Sequence, residues 1–383
     1  AVAALLAQAV AHAGPGLTRA VDVVDRGVLV LSPAGLRDEL SVLMAGVLPH
    51  WLREHAAAEL DLSSDGEQLH ARQRIVGSCD PALSSSVRSR HAAGVALDGA
   101  LPLVVPWRST LVCVGAGWSP AQSARLATLA RLSGSRVVVA APDALPIVAP
   151  QMVHPERSAD LAHLLALVKH ADTVIAFGGA SARAYRGLAC GLTAQGLPGP
   201  DVRELPVVGG PPIDVLTPAQ PGRPRVTIVG ADPRTRASVA EALLALRAQG
   251  RGCEVVTVDP GAVSSAFEQT TAANVTGVGP ARQILVALDP GGTGLLLDAA
   301  LRRGVPAVVC AVGVPGEVAA NGGCVPVDPD DDAAVASAIA ALLDDDVVHA
   351  AHAAEAAARP ASTWRETADA LWDAVTRTRE VAL

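Results

Sequence analysis

Runs of consecutive small aliphatic residues, bounded by glycine, proline or aspartate, recur along this chain. They lie at Val28 to Leu31, Leu111 to Val114, Val137 to Ala140, Thr173 to Phe177, Arg225 to Val229, Cys253 to Val258, Ile284 to Leu288 and Ala307 to Val312. Unbroken apolar runs without polar alternation suit strands buried on both faces, as in a parallel sheet covered by helices. Between them the apolar spacing changes to that of helices. Ala237 to Gln249 carries Val239, Leu243, Leu244 and Leu246 on one side, Thr293 to Arg303 follows a glycine turn, and Ala333 to Leu343 has Asp330 in place for an N-cap. Strand and helix alternate with short connections, the order of repeated βαβ units. Near the C-terminus Thr363-Trp-Arg-Glu366 has capping-box spacing, and Trp364, Ala368, Leu371, Trp372 and Val375 follow at helical intervals, which predicts a docked amphipathic helix.

The alternation is interrupted at Pro206 to Pro224, a stretch rich in proline and glycine that reads as a linker. The expected fold is therefore α/β, with two Rossmann-like domains whose parallel sheets face each other across a cleft. The first domain spans 1–205, the linker 206–224 and the second domain 225–360, while 361–383 form a helix that packs back on the first domain. Residues 61–90, rich in Ser and Arg, read as loop plus irregular strand. The chain opens at Ala1 in an alanine-rich helical stretch without the features of a signal peptide and reads as a trimmed start.

At 383 residues the chain can bury two separate cores. Half of it is apolar, yet it has only five Trp, two Phe and one Tyr, so aliphatic side chains do the packing. The net charge of −8 is spread along the sequence and gives no basic patch for a nucleic-acid backbone. Six scattered cysteines, without a C-x-x-C pair or metal-ligand spacing, read as buried hydrophobes in a reducing, cytoplasmic setting, with no metal expected. Arg108 and prolines break the apolar stretch from Leu101 to Trp118, so no transmembrane helix is expected; peripheral membrane contact stays open.

The chemistry concentrates at Asp289-Pro-Gly-Gly-Thr-Gly294, a turn between a buried strand and a helix. Gly291, Gly292, Thr293 and Gly294 would present backbone N–H groups and a hydroxyl at the positive end of a helix dipole, which suits a phosphate-bearing ligand. A second strand-to-helix turn, Gly230-Ala-Asp-Pro-Arg234-Thr-Arg236, offers two arginines for the same charge. No G-x-S-x-G, H-E-x-x-H or P-loop motif is present. Gly115-Ala-Gly117-Trp118 lacks the third glycine of a dinucleotide fingerprint, which leaves an NAD(P)-dependent oxidoreductase as the weaker alternative.

From Asp289 the text continues through Gly304-Val-Pro-Ala-Val-Val309, Gly313-Val-Pro-Gly-Glu317 and Gly322-Gly-Cys-Val-Pro-Val-Asp328. In that order it resembles the donor-binding domain of family 4 (group 1) glycosyltransferases. The first domain adds Gly115-Ala-Gly-Trp118, Asp143 with Pro146, and Ala171-Asp-Thr-Val174 in the family's order. The resemblance covers roughly 105–380. It implies a GT-B fold, a first domain on the acceptor side, a second that takes a UDP- or GDP-sugar, and retaining hexosyl transfer to a glycan or lipid-linked acceptor, as in polysaccharide biosynthesis. No cofactor other than the sugar nucleotide is implied. Gly230, Arg234, Arg236, Gly291 to Gly294 and Glu317 would serve the donor, and Gly115, Gly117, Trp118 and Asp143 the acceptor side. The motifs are degenerate: Gly291 and Ala299 stand where the family has glutamates, Pro142 where it has a histidine, and Thr235 where it has a phosphate-gripping lysine. Asp289 and Asp298, beside the empty acidic positions, are the candidate catalytic carboxylates. A non-catalytic relative that binds a ligand or partner in the same cleft is the alternative.

Overall fold

The computed structural model describes residues 21–33, 38–62, 69–71, 103–153, 155–206, 224–229, 233–248, 253–258, 282–360 and 362–377. Among them the first half builds strands β1 (Val21–Asp25), β2 (Val28–Leu31), β3 (Ala57–Leu62), β4 (Leu69–Ala71), β5 (Leu103–Trp107), β6 (Thr110–Val114), β7 (Arg136–Ala141), β8 (Thr173–Phe177) and β9 (Asp201–Leu205) into one sheet, in the order β1-β5-β4-β3-β2-β6-β7-β8-β9. The second half builds β10 (Arg225–Val229), β11 (Glu254–Val258), β12 (Gln283–Ala287), β13 (Ala307–Cys310) and β14 (Cys324–Val327) into a sheet ordered β11-β10-β12-β13-β14, parallel throughout. The expected fold is the one observed: α/β, with two Rossmann-like units of the GT-B kind.

Both faces of each sheet are covered, which is why the strand runs are apolar without a break. In the first sheet Leu29, Leu31, Leu111, Cys113, Val137 and Val139 point to one core. Their neighbours Val28, Val30, Val112, Val114, Val138 and Ala140 point to the other, as the two-residue period of a strand requires. The outer core packs under α2 (Pro120–Ser133) and α4 (Pro155–Val168), which follow β6 and, through the short α3 (Leu145–Val148), β7. The inner core contains α1 (Glu39–Glu54) and runs without a gap into the second half, where Leu285, Ala287, Val309 and the helix α7 (Leu295–Leu301) belong to the same cluster.

The first sheet is longer than its Rossmann part because two neighbouring strands bend together. β1 runs parallel to β5 and β2 to β6, and the same residue offset holds on both sides of the bend. Arg26 N–H donates to Trp107 O at 3.0 Å and Thr110 N–H to Gly27 O at 2.8 Å, so the ribbon stays hydrogen-bonded through the turn. Arg26 and Arg108 take up the bend with φ of 58° and 48°, a left-handed conformation that non-glycine residues rarely adopt.

The remaining helices are α5 (Gly179–Ala194), α6 (Pro233–Ala248), α8 (Gly313–Ala319), α9 (Asp332–Asp344), α10 (Asp346–Ala357) and α11 (Trp364–Thr376). Several boundaries differ from the sequence expectation. Helix α6 starts at Pro233, since proline suits the first helical position, where no N–H is needed. The N-cap of α9 is Asp331, whose carboxylate accepts from Ala334 N–H at 3.0 Å, while Asp330 belongs to the preceding turn. Thr363 and Glu366 form the expected capping box of α11. Cys113, Cys310 and Cys324 are buried, but Cys253 is half-buried and Cys190 exposed, so the reading of all cysteines as core residues was too broad. Most of the linker, the alanine-rich opening and Cys79 lie outside the described residues.

Helix α11 crosses from the end of the second unit onto the first. Trp51 of α1 donates its indole N–H to Ala368 O at 2.9 Å and meets the Trp372 ring edge-on at 5.3 Å; His55 stacks on the other part of this contact, 3.9 Å from Trp372. Arg203 of β9 holds the carbonyls of Ala374 and Arg377 at the far end.

Candidate functional site

The two sheets present the carboxyl ends of their strands to one another, the place where open α/β sheets bind ligands. Glu39 follows β2, Asp143 follows β7, and the turn from Asp289 to Gly294 follows β12, beside the point where the second sheet's order reverses. These three segments meet.

The turn is shaped by its own residues first. Asp289 accepts from Gly291 N–H at 2.9 Å through Oδ1. Gly292 and Gly294 have φ of 90° and 73°, so glycine is needed at both. Gly294 is the N-cap of α7 but has no side chain, and the first amides of a helix have no partner within it. They find one across the cleft: the Glu39 carboxylate accepts from Thr293 N–H at 2.5 Å, the Thr293 hydroxyl at 2.8 Å, Gly294 N–H at 2.9 Å and Leu296 N–H at 3.2 Å. Glu39 thus caps α7 from the other half of the molecule.

Glu39 is also the first residue of α1, and Asp38 is that helix's N-cap, accepting from Ser41 N–H at 3.0 Å. The start of α1 and the start of α7 therefore oppose each other with one carboxylate between them. Burial raises the Glu39 pKa above the ordinary carboxylate value, against the lowering effect of its hydrogen bonds. Asp38 is pushed up to about 6, first by burial and then, against its own backbone hydrogen bonds, by the neighbouring Glu39 charge.

A second carboxylate seats on the same turn. Asp143 Oδ2 accepts from Gly292 N–H at 2.9 Å, and Oδ1 accepts from Leu145 N–H at 3.0 Å. Arg157 of α4 bridges the halves, donating to Asp143 at 2.6 Å and to Asp289 at 3.2 Å. Burial by itself would lower the Arg157 pKa, but the charges of Asp143, Asp289 and Asp38 outweigh it and raise it. The group closes tightly around Gly291: a Cβ there would stand 3.0 Å from both Arg157 and the Asp143 carboxylate oxygens. The space in which a residue larger than glycine would extend is filled by this ion pair.

The other residues singled out by the sequence fall elsewhere. Asp298 is buried, 4 % exposed, and its carboxylate is held by Arg302 at 2.6 Å and Arg359 at 3.2 Å. Glu317 pairs with Arg183 of α5 at 3.1 Å, a further contact between the halves. Trp118 lies in the outer core of the first sheet, its indole N–H on Gly115 O at 3.1 Å, and Gly117 packs against Pro33. Arg234 and Arg236 are on α6, whose start is described without their side chains, and Gly230 lies outside the described residues. Of the proposed set, Asp143, Asp289 and Gly291 to Gly294 come together. Glu39 and Arg157 join them unannounced, because an acidic residue in a first helical turn and an arginine on a surface helix have ordinary reasons to be there.

Among the described residues no cluster of three or more His, Cys, Asp or Glu side chains is placed to hold a metal ion, and no helix is long and apolar enough to cross a membrane.

No protein-family model matches the sequence, and no curated protein matches it either. Solved structures do match the fold. The UDP-forming alpha,alpha-trehalose-phosphate synthase of Burkholderia vietnamiensis is similar over 93 % of this chain and 98 % of its own, at 14 % identity and a TM-score of 0.53. The alpha,alpha-trehalose 6-phosphate synthase of Burkholderia multivorans matches 92 % of this chain and 98 % of its own, at 11 % identity and a TM-score of 0.54. The UDP-forming enzyme of Burkholderia xenovorans covers 94 % and 100 %, at 12 % identity and a TM-score of 0.53. At such identities the likeness is one of fold: this chain has the two-unit GT-B architecture of these synthases over nearly its whole length.

Proposed function

We propose that this chain is a glycosyltransferase-like protein that takes a nucleotide sugar at the turn from Asp289 to Leu296, with little or no sugar transfer. One observation carries the reading. Four donors, the N–H groups of Thr293, Gly294 and Leu296 and the Thr293 hydroxyl, already converge on a single carboxylate at the mouth of the second sheet. Donors so arranged suit one phosphate of a diphosphate, and in a closed cleft they would stabilise charge on a departing one. Two of the solved neighbours are named as UDP-forming, which favours a uridine diphosphate sugar as the donor, and the family resemblance adds a guanosine diphosphate sugar as the other candidate.

Weak turnover follows from what fills the site. Gly291, Ala299 and Pro142 supply no acid, base or cation at positions where the resembled family has them. Asp298, the nearest substitute on the helix, is committed to two arginines. Loss of even one electrostatic contact to a developing charge costs about a hundredfold or more in rate. The second reading, a non-catalytic relative, is favoured by the same commitment of carboxylates to structural partners. Titration with UDP, GDP and their glucose and mannose esters, followed by thermal shift and by release of nucleoside diphosphate, tests both. A shift with diphosphate and release slower than about 1 per second is expected. Binding of none of these nucleotides would refute the donor-site reading, and release at ordinary enzyme rates would refute the weak-turnover part.

A further inference from the structure

The four donors of the turn are not waiting for a ligand; the protein has filled them with its own acid. Glu39 reaches from the start of α1, and Asp143 independently reaches Gly292 from the loop after β7, so two carboxylates of the first unit sit on adjacent amides of the second. Neither belongs to the element whose amides it holds. Arg157 ties Asp143 to Asp289 behind them, and Arg183 to Glu317 closes the rim.

We propose that Glu39 is an autoinhibitory side chain, an internal anion that latches the first unit onto the turn from Thr293 to Leu296 and must leave before an external anion can take those donors. The proposal rests on the donor-site reading for the identity of the displacing anion, but the latch itself does not. An external phosphate group and the Glu39 carboxylate would compete for the same N–H groups, and like charge prevents both from occupying them together. The exchange is feasible because the contact is made of hydrogen bonds to carboxylates and of two ion pairs with partly exposed arginines, Arg157 with Asp289 and Arg183 with Glu317; the apolar cluster that α1 and α7 share keeps the two units joined.

Amide hydrogen exchange of the whole chain, resolved at Thr293, Gly294 and Leu296, decides the latch. Glu39→Gln keeps the side-chain shape and removes the charge. Glu39→Asp keeps the charge at the start of α1 but shortens the reach. In both, exchange at the three amides should rise by about tenfold or more, while strands β12 and β13 keep their protection. Unchanged exchange in a folded variant overturns the latch, whatever the chain binds. Should Glu39→Gln fail to fold, Glu39→Asp carries the same comparison. Inorganic pyrophosphate and UDP supply the second arm: each should bind Glu39→Gln at least about tenfold more tightly than the unmodified chain. Equal binding to both forms shows that Glu39 does not gate the donors and overturns the autoinhibitory role. Binding to neither form defeats the donor-site reading, and the exchange result then decides the latch alone.

Discussion

Asp38 carries the clearest pH signature among the residues at the cleft. Its pKa is raised to about 6 in the folded protein, chiefly by burial, from an ordinary value of 3.8. A raised carboxylate pKa means that the folded state binds a proton the unfolded chain has released, so this contribution to stability is fully present below about 3.8 and is lost as pH rises through about 6. Asn caps a helix as well as Asp does. Asp38→Asn should therefore stabilise the protein at pH 7.5, on the order of 2 kcal/mol, and give no gain at pH 3.5; thermal melts at the two pH values check it. Gly291 makes a second prediction. Restoring the glutamate that the resembled family carries there should fail to restore anything, because its Cβ would press on Arg157 and Asp143 at 3.0 Å. Gly291→Glu should lower the melting temperature by several degrees and separate the Asp143–Arg157 pair, and a variant that melts like the parent would contradict this packing.

Elements are held by residues whose role is visible only in pairs. Asp298 of α7 faces Arg302 at the end of its own helix and Arg359 beyond α10, and Arg359, whose side chain is 7 % exposed, also donates to the carbonyls of Val318 and Gly322. Removing one partner of a buried pair costs about 3 to 5 kcal/mol. Asp298→Ala should show that loss in chemical denaturation, far beyond the effect expected for an acid that acts only on a ligand. Helix α1 offers a contrasting test. Ala in place of a helical glycine normally stabilises by up to about 1 kcal/mol, but a Cβ on Gly46 would lie 2.4 Å from the Trp364 ring of α11. Overpacking costs about 1 to 3 kcal/mol, so Gly46→Ala should destabilise, with Trp fluorescence reporting the displaced ring.

The C-terminal helix binds the whole molecule together. Ala368, Leu371, Ala374 and Val375 are buried in a cluster that contains residues of both sheets, and Arg365 pairs with Glu54 of α1 at 3.0 Å. Ending the chain at residue 361 would expose that face, a loss on the order of 5 kcal/mol from the buried aliphatic side chains alone. Calorimetry of the shortened chain should show a lower transition for the first sheet, although α11 follows the second in sequence. The sequence by itself determined the fold class and most strand positions, because strands covered on both faces must be apolar throughout and glycine or proline must punctuate them; β2, β6, β7, β8, β10 and β12 are legible on that ground. It also determined the cap of α11 and the turn at Gly291 to Gly294, since both depend on neighbours in the chain. The antiparallel pairing of β3 with β4 and the shared bend at Arg26 and Arg108 had no local signature. Only the tertiary structure decided what meets the turn. Glu39 and Arg157 lie far from it in sequence, and a carboxylate that caps a distant helix looks, in one dimension, like any acid at the start of its own.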